Sequence, residues 1–419
     1  MKRWIVLALC VLVVAAIGLG AWSLAGIMTD PVATAKAEAA ANTEAGTNST
    51  PPAESWSGVP PVYVVAGSNY EMGYQYAVQA APLMHHNYVA TWSRLVSKLG
   101  EEAARGDLSV WWYYLKKYNP GMEDWYKGMV DGCKKMGYKI DELQLLSITI
   151  YPTIYWARPD LPYPAEAGVK GKNTSAASEV ALAAEELHSC HASASTGTAT
   201  ADGKPVVSIS KMVPFETGQC AILIAFPEDG PSFVAAPQAG QIAANSGMNN
   251  AGFASACTAI FAERAWSYPM EGDFAWLPQY AKSVDDALEY LESVPRGGVM
   301  GTVTMGDETG KISVFESTAS EYEIRYPGDC GEPGSFLVQT NHLVAPDLQH
   351  WNPPDVTSGG SWFRYQTLYK YVADAAAAGA AADGESTRRS PTRVRRADRR
   401  CRLRPPPGRR AHRRRGRGR

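Results

Sequence analysis

The stretch Leu187-His188-Ser189-Cys190-His191-Ala192-Ser193-Ala194-Ser195 decides the fold, because the spacing of apolar residues changes there. Between Tyr70 and Tyr155, apolar residues recur at the three- and four-residue spacing of α-helices. From Cys190 onward the period is two, and Asp202-Gly203 provides the tight turn of a β-hairpin. Helices followed by a run of antiparallel strands predict an α+β fold of packed layers.

The second half of the chain is predicted to be mostly strand, with turn-forming residues between its apolar runs. In this half, only 284–294 and 361–376 have helical spacing. The predicted strands are 192–200, 205–210, 220–226, 232–236, 253–260, 301–305, 311–316, 321–326 and 336–339.

Residues 1–28 predict a signal or membrane anchor. Lys2-Arg3 precede an almost uninterrupted apolar run that is longer than an ordinary signal-peptide core. Cleavage near Ala33-Thr34-Ala35 is the alternative. In both cases we expect the protein to be extracytoplasmic, either membrane-anchored or secreted. Residues 29–58, rich in Ala, Thr, Glu, Asn and Pro, predict a disordered linker.

Residues 377–419 predict a disordered, Arg-rich tail. The last 33 residues hold 16 Arg and one acid, which leaves 24 basic and 41 acidic residues in 1–386. One interpretation is a basic arm that binds nucleic acid or an anionic membrane. Such an arm is unexpected on an exported acidic protein, and GC-rich codons read out of frame give the same composition. We therefore favour a frameshifted tail and expect no nucleic-acid partner.

The seven cysteines are spread singly, without the C-x-x-C spacing of a zinc ribbon. One disulfide is compatible with export, although the sequence does not choose a pair. The candidates are Cys133, Cys220, Cys257 and Cys330. His191 and His342 have no carboxylate at ligand spacing, so they are interpreted as ordinary hydrogen-bonding residues. Neither a metal nor a cofactor is expected.

Five segments occur in order across about 300 residues. They are Gly67-Ser68-x-Tyr70-Glu71-Met72-Gly73, Cys190-His191-Ala192 through Asp202-Gly203-Lys204, Gly247-Met248-Asn249-Asn250-Ala251-Gly252-Phe253, Thr340-Asn341-His342-Leu343 and, more weakly, Ser361-Trp362-Phe363-Arg364. Together they resemble the acyl-CoA:6-aminopenicillanate acyltransferase-like group of cysteine N-terminal-nucleophile (Ntn) hydrolases, the C45 peptidase-like family.

The resemblance implies a four-layer αββα sandwich that self-cleaves at the Ser189-Cys190 bond. A helical part, 59–189, and a β-rich part, 190–376, would then remain associated as two chains. It also implies an amidohydrolase or acyltransferase for small linear N-acyl compounds, with Cys190 as nucleophile. An N-terminal cysteine carries its own base, since a free α-amine has a pKa of about 7.7 to 8.0 and a thiol one of about 8.5. The thiolate attacks an amide to form a thioester. Water then hydrolyses the thioester, or an amine captures its acyl group.

The resemblance further implies that Asn341 donates to the tetrahedral oxyanion, with Asn249 as a second donor or organiser. A purely structural role for Asn249 is an equal alternative, because Asn readily adopts turn conformations. Aromatic side chains at 111–114, 151–156 and Trp276 are interpreted as core, with an acyl pocket as the alternative.

One family feature is missing. Many relatives place Arg-x-x-Asp just after the hairpin turn, whereas 206–212 read Val-Val-Ser-Ile-Ser-Lys-Met. Ser210, Lys211 or Glu216 then substitutes, or the substrate class differs, or activity is reduced. The alternative function is a catalytically silent surface-binding protein that retains the fold. A papain-like protease using His342 is disfavoured, because strand periodicity begins at Cys190 where such an enzyme needs a helix.

Overall fold

The computed structural model describes residues 59–169, 190–211, 218–242, 245–260, 262–298 and 300–377. The predicted signal or anchor, the linker and the tail from residue 378 lie outside this range, as does Ser189. Within the described ranges, no helix combines the length and apolarity needed to cross a bilayer.

One strand and four helices form the first half of the described chain. They are β1 (Val62–Gly67), α1 (Asn69–Leu99), α2 (Glu101–Tyr118), α3 (Gly121–Lys135) and α4 (Glu142–Ala157). The second half contains β2 (His191–Gly197), β3 (Gly203–Ser210), β4 (Ile222–Pro227), β5 (Phe233–Ala235), β6 (Ser246–Asn249), β7 (Ala254–Ile260), α5 (Glu271–Tyr280), α6 (Val284–Ser293), β8 (Met300–Gly306), β9 (Ile312–Ser317), β10 (Tyr322–Arg325), β11 (Phe336–Gln339) and α7 (Gly360–Ala377).

Local sequence explains where the long helices begin. The Ser68 hydroxyl accepts the backbone N–H of Glu71, whose carboxylate accepts the Ser68 N–H in return. Asp141 and Gln144 form the same capping box at the start of α4. Each box pairs backbone donors that a helix start leaves unsatisfied. The Gly67-Ser68-x-x-Glu71 motif therefore works as a helix entry.

Two sheets lie at the centre of the fold. The larger has eight strands in the order β1-β4-β5-β6-β7-β8-β9-β10, and the smaller has the order β11-β2-β3. β1 pairs in parallel with β4, whereas the other strand pairs are antiparallel. The predicted hairpin at Asp202-Gly203 joins β2 to β3, with Gly203 at a φ of 74°.

Buried contacts define four layers. Helices α1 to α6 share one large core with a face of the eight-stranded sheet. The other face packs on the small sheet through Ala194, Leu337, Ile312 and Val314. α7 covers the outside of the small sheet, where Tyr365 and Val372 pack with Phe336 and Val338. This arrangement confirms the predicted α+β, four-layer αββα sandwich.

Three elements were not predicted. β1 belongs to the helical half of the sequence yet adds a parallel edge to the large sheet, so the antiparallel meander predicted from strand spacing was incomplete. β6 is a four-residue strand inside the predicted turn segment, and α5 contains Pro278. Both are too short or too irregular to show a period. Cys133, Cys190, Cys220, Cys257 and Cys330 are free thiols, so the structure contains none of the candidate disulfides.

The aromatic side chains of α2 belong to the core. Trp111 is fully buried and packs against Trp266, while Trp112 packs against Tyr126. Tyr151 is also buried, and Trp276 stacks on Tyr290 at a centroid distance of 3.8 Å. These contacts support the core interpretation over the acyl-pocket alternative.

Candidate active site

Cys190 lies at one end of the small sheet, immediately before β2. His191 of β2 pairs with Ser210 of β3, and Ala192 pairs with Gln339 of β11. Extending both registers to the end of the sheet brings Cys190 between Lys211 on one side and Asn341 on the other. Neighbouring strands are about 4.8 Å apart, so the three residues lie abreast.

The Cys190 side chain faces the space between the two sheets. Alternate strand residues share a face, which places Cys190 with Ala192 and Ala194. Ala194 packs against Ile312 and Val314 of the large sheet. Cys190 is 2% exposed. The thiol is therefore enclosed between layers.

Asn341 is held at the end of the large sheet and keeps a hydrogen for a ligand. Its Nδ2 donates to the carbonyl of Ala259, at the end of β7, over 2.9 Å. Its Oδ1 accepts from Arg364 over 2.8 Å. An amide NH2 group has two hydrogens, and the bond to Ala259 uses one. The second can be donated to an acyl oxygen beside Cys190, as an oxyanion donor requires.

The segment carrying Asn341 is fixed on both sides. The Thr258 hydroxyl donates to the Thr340 carbonyl over 2.7 Å. Gln339 Nε2 donates to the carbonyls of Thr340 and His342. Further along, Glu316 accepts the backbone N–H groups of Val344 and Ala345. The geometry of Asn341 is thus set before any ligand arrives, which is what electrostatic catalysis needs.

Arg364 was not predicted as a site residue, although its segment was the weakest of the five matching motifs. It projects from α7 and orients the Asn341 amide. Burial and then the positive charge of Arg364 lower the pKa of His191. The guanidinium therefore contributes a positive potential at the end of the sheet that holds Cys190, and such a potential favours a developing oxyanion.

Asn249 lies at the opposite end of the large sheet. Its backbone N–H bonds to Phe253, just before β7 begins, whereas Asn341 contacts β7 near its end. Six residue steps along the strand separate Phe253 from Ala259, or about 20 Å. Asn249 Nδ2 donates to the carbonyls of Pro278 and Ala281, which uses both amide hydrogens. These contacts support the structural alternative for Asn249, and we do not include it in the site.

The two histidines next to the motif residues are not placed as acid–base groups. Burial, followed by Arg325 and Arg364, lowers the pKa of His342 to about 4. His342 Nδ1 lies 2.9 Å from the Ser361 hydroxyl and 3.1 Å from the Thr340 hydroxyl. His342 is therefore neutral near pH 7 and supports the loop between β11 and α7. His191, one residue from Cys190, lies on the opposite face of β2.

Lys211, at the end of β3, is within electrostatic range of several ionisable groups. Its ammonium interacts electrostatically with Cys190, Cys220, Glu271 and Cys257, while burial lowers its pKa. Burial also raises the pKa of Glu271 to about 7. Glu271 Oε1 accepts from the Thr153 hydroxyl over 2.8 Å, and Oε2 is buried without a hydrogen-bond partner. Both side chains are thus shifted towards their neutral forms.

Of the residues proposed to replace Arg-x-x-Asp, Ser210 pairs with His191 and is exposed, and Glu216 lies outside the described ranges.

The four-layer architecture, with a cysteine at the start of a central strand, is what the resemblance to the class of Ntn hydrolases implies. Within that class, the family model of acyl-coenzyme A:6-aminopenicillanic acid acyl-transferase matches residues 217–396. The match includes Asn341 and Arg364 and begins after Cys190. It confirms the family resemblance predicted from the five motifs.

Solved structures with some similarity include a mutant conjugated bile acid hydrolase from Clostridium perfringens. It is 16% identical, with a TM-score of 0.28, over 36% of this chain and 54% of that one. The penicillin V acylase from Agrobacterium tumefaciens is 13% identical, with a TM-score of 0.20, over 33% and 41% of the two chains. This chain thus spans about half the length of these proteins. No curated protein sequence matches it.

Proposed function

We propose that the protein is an exported cysteine amidohydrolase or acyltransferase that first cleaves itself at Ser189-Cys190. It then cleaves or transfers the acyl group of small linear amides through a thioester on Cys190. The observation that supports the proposal is the β2–β11 register, which when extended by two residues brings Cys190 beside Asn341, whose amide is oriented by Arg364 and keeps one hydrogen for an oxyanion. A nucleophile and a fixed oxyanion donor are the two groups that acyl transfer needs.

The burial of Cys190 favours self-cleavage as the first reaction. A thiol that is 2% exposed is enclosed against a free substrate, but the Ser189 carbonyl is covalently attached and needs no entry path. Attack at that carbonyl forms the first thioester and releases the α-amine of Cys190. In later turnovers this amine serves as the base for the thiol, and Asn341 stabilises each tetrahedral intermediate. We propose that the two chains stay associated, because β1 pairs with β4 across the cleavage point.

Intact-mass analysis of the purified full chain tests the proposal. The native protein is expected as two chains that part at Ser189-Cys190, and Cys190→Ala as one uncut chain. Cys330→Ala, which removes a partly exposed free thiol elsewhere, is the matched control and should be processed like the native protein. The processed protein should release the amine from N-acyl amides, a reaction followed with an amine-reactive fluorophore. A native chain that remains uncut and releases no amine contradicts the proposal and favours the silent binding protein.

A further inference from the structure

The self-cleavage step needs a proton acceptor that the mature site does not use. In the uncut chain the nitrogen of Cys190 is a peptide amide, so the α-amine that serves later turnovers does not yet exist. Some other group has to take the proton from the Cys190 thiol. General bases act within hydrogen-bond reach of that proton, directly or through one water.

We propose that Lys211 is this proton acceptor, a role that rests on the proposed self-cleavage at Ser189-Cys190. The β2–β3 register, which pairs His191 with Ser210, places Lys211 across from Cys190 when it is extended by one residue, and alternation along the strands then puts both side chains on the same face of the small sheet. Asn341 occupies the other side of Cys190. Lys211 is thus the base and Asn341 the oxyanion donor on opposite flanks of one nucleophile.

The surroundings of Lys211 favour a neutral amine. The groups that interact electrostatically with it are the thiols of Cys190, Cys220 and Cys257 and the carboxyl of Glu271. Burial lowers the pKa of Lys211, and burial raises the pKa of the Cys220 and Cys257 thiols, which keeps them uncharged. Glu271 is the group whose charge favours the ammonium form, and burial raises its pKa as well.

The step balances without any further reactant except water. The Lys211 amine takes the proton from Cys190 Sγ, and the thiolate attacks the Ser189 carbonyl carbon. The new S–C bond forms, the C–N bond to Cys190 breaks, and the Lys211 ammonium returns its proton to the leaving nitrogen. Water then hydrolyses the thioester to the Ser189 carboxylate and the free thiol. Lys211 ends as it began.

The rate of self-cleavage in full-length Lys211 variants, followed by intact mass over a range of pH, tests the inference. Lys211→Met should slow cleavage about 100-fold or more, the loss typical of a missing general base. Lys211→Arg keeps the positive charge but cannot accept a proton near neutral pH, so it should lose as much. Lys204→Met is the matched control. It changes an exposed lysine at the far end of the same strand and should cleave at the native rate.

A second variant leaves Lys211 in place. Glu271→Gln removes the carboxylate that favours the ammonium form, so the pH at which cleavage reaches half its maximal rate should fall. This result supports the inference even when Lys211→Met fails to fold. An unchanged pH profile overturns it, as does native-rate cleavage in Lys211→Arg, which would assign Lys211 an electrostatic role. If the native chain itself remains uncut, the inference falls together with the proposed function. If the native chain and the Lys211 variants cleave alike, the inference falls alone.

Discussion

Asn341 and Asn249 differ in the groups that accept their side-chain amide hydrogens. Asn249 donates both to backbone carbonyls, while its Oδ1 accepts the N–H groups of Ala251 and Phe253. Asn341 donates one, to Ala259, and is partly exposed at the end of the sheet where Cys190 lies. Both residues are asparagines in segments that carry the family resemblance. The hydrogen bonds are what distinguish Asn249, which organises a turn, from Asn341, the proposed oxyanion donor.

Asn341→Ala should therefore lower the rate constant for amine release about 10²- to 10³-fold, as removal of one oxyanion donor does. We propose that the same donor stabilises the tetrahedral intermediate of self-cleavage, so self-cleavage should slow by a similar factor. Both rates are measured by intact mass and by amine release at saturating substrate.

Asn249→Ala is the matched control for Asn341→Ala. It should lower the melting temperature, because four backbone groups lose a hydrogen-bond partner, and leave the rate constant of the folded protein near the native value. A large rate loss in Asn249→Ala with little loss in Asn341→Ala would reverse the assignment.

At the scale of elements, α1 and α3 pack with their backbones in contact at two glycines. A Cβ atom added at Gly128 would lie 2.1 Å from the carbonyl oxygen of Tyr70, and one added at Gly73 would lie 2.1 Å from that of Trp125. Both obstacles are backbone atoms of the facing helix, so a rotamer change cannot relieve them. The helix pair can approach this closely only without side chains at these positions.

Gly128→Ala should therefore destabilise the protein by about 1–3 kcal/mol, the usual cost of overpacking, although alanine is the better helix former. Urea unfolding followed by circular dichroism measures the change. Gly334→Ala is the control, because a Cβ there meets no atom within 4 Å. Equal stability of the two variants would show that the helices separate without cost.

The elements that could be predicted are those whose own sequence carries a period or a cap. The 31-residue α1 has a capping box and a long apolar stripe, and the β2–β3 hairpin has an Asp-Gly turn between alternating residues. β1 could not be paired from sequence, since its partner β4 lies more than 150 residues away. The sequence of α5 shows no helical spacing of apolar residues, because eight of its ten residues are buried, including the polar Glu271 and Asp273.

The sequence predicted some residues of the candidate site and missed others. Cys190 and Asn341 lie in segments that resemble a known family. Lys211 was one of several possible substitutes, and the strand register singles it out. Arg364 is separated from Asn341 by 23 residues and approaches it only because α7 folds over the small sheet. Contacts of this kind depend on how layers pack, which no local pattern records.

At the scale of the whole molecule, Arg325 joins the two sheets. It lies on β10 of the large sheet and forms ion pairs with Glu316 of β9 and with Glu332. It also donates to the Val338 carbonyl and to Gln339 Oε1 on β11 of the small sheet. Glu316 in turn holds the N–H groups of Val344 and Ala345, beyond Asn341. One buried cation thus connects sheet packing to the loop that carries Asn341, the proposed oxyanion donor.

Arg325→Met should destabilise the protein by about 3–5 kcal/mol, because it leaves two carboxylates buried without their cation. Arg105→Met is the matched control. Arg105 also pairs with two carboxylates, those of Glu101 and Asp141, but its side chain is 36% exposed, and such pairs contribute about 1 kcal/mol or less. Urea unfolding measures the stability of both variants.

Below the unfolding transition, Arg325→Met should also release amine more slowly than Arg105→Met, because Glu316 loses the cation that fixes it against the Asn341 loop. Equal stabilities in the two variants would mean that the sheets are held together by apolar packing alone, and equal rates would mean that the Asn341 loop keeps its geometry without Arg325.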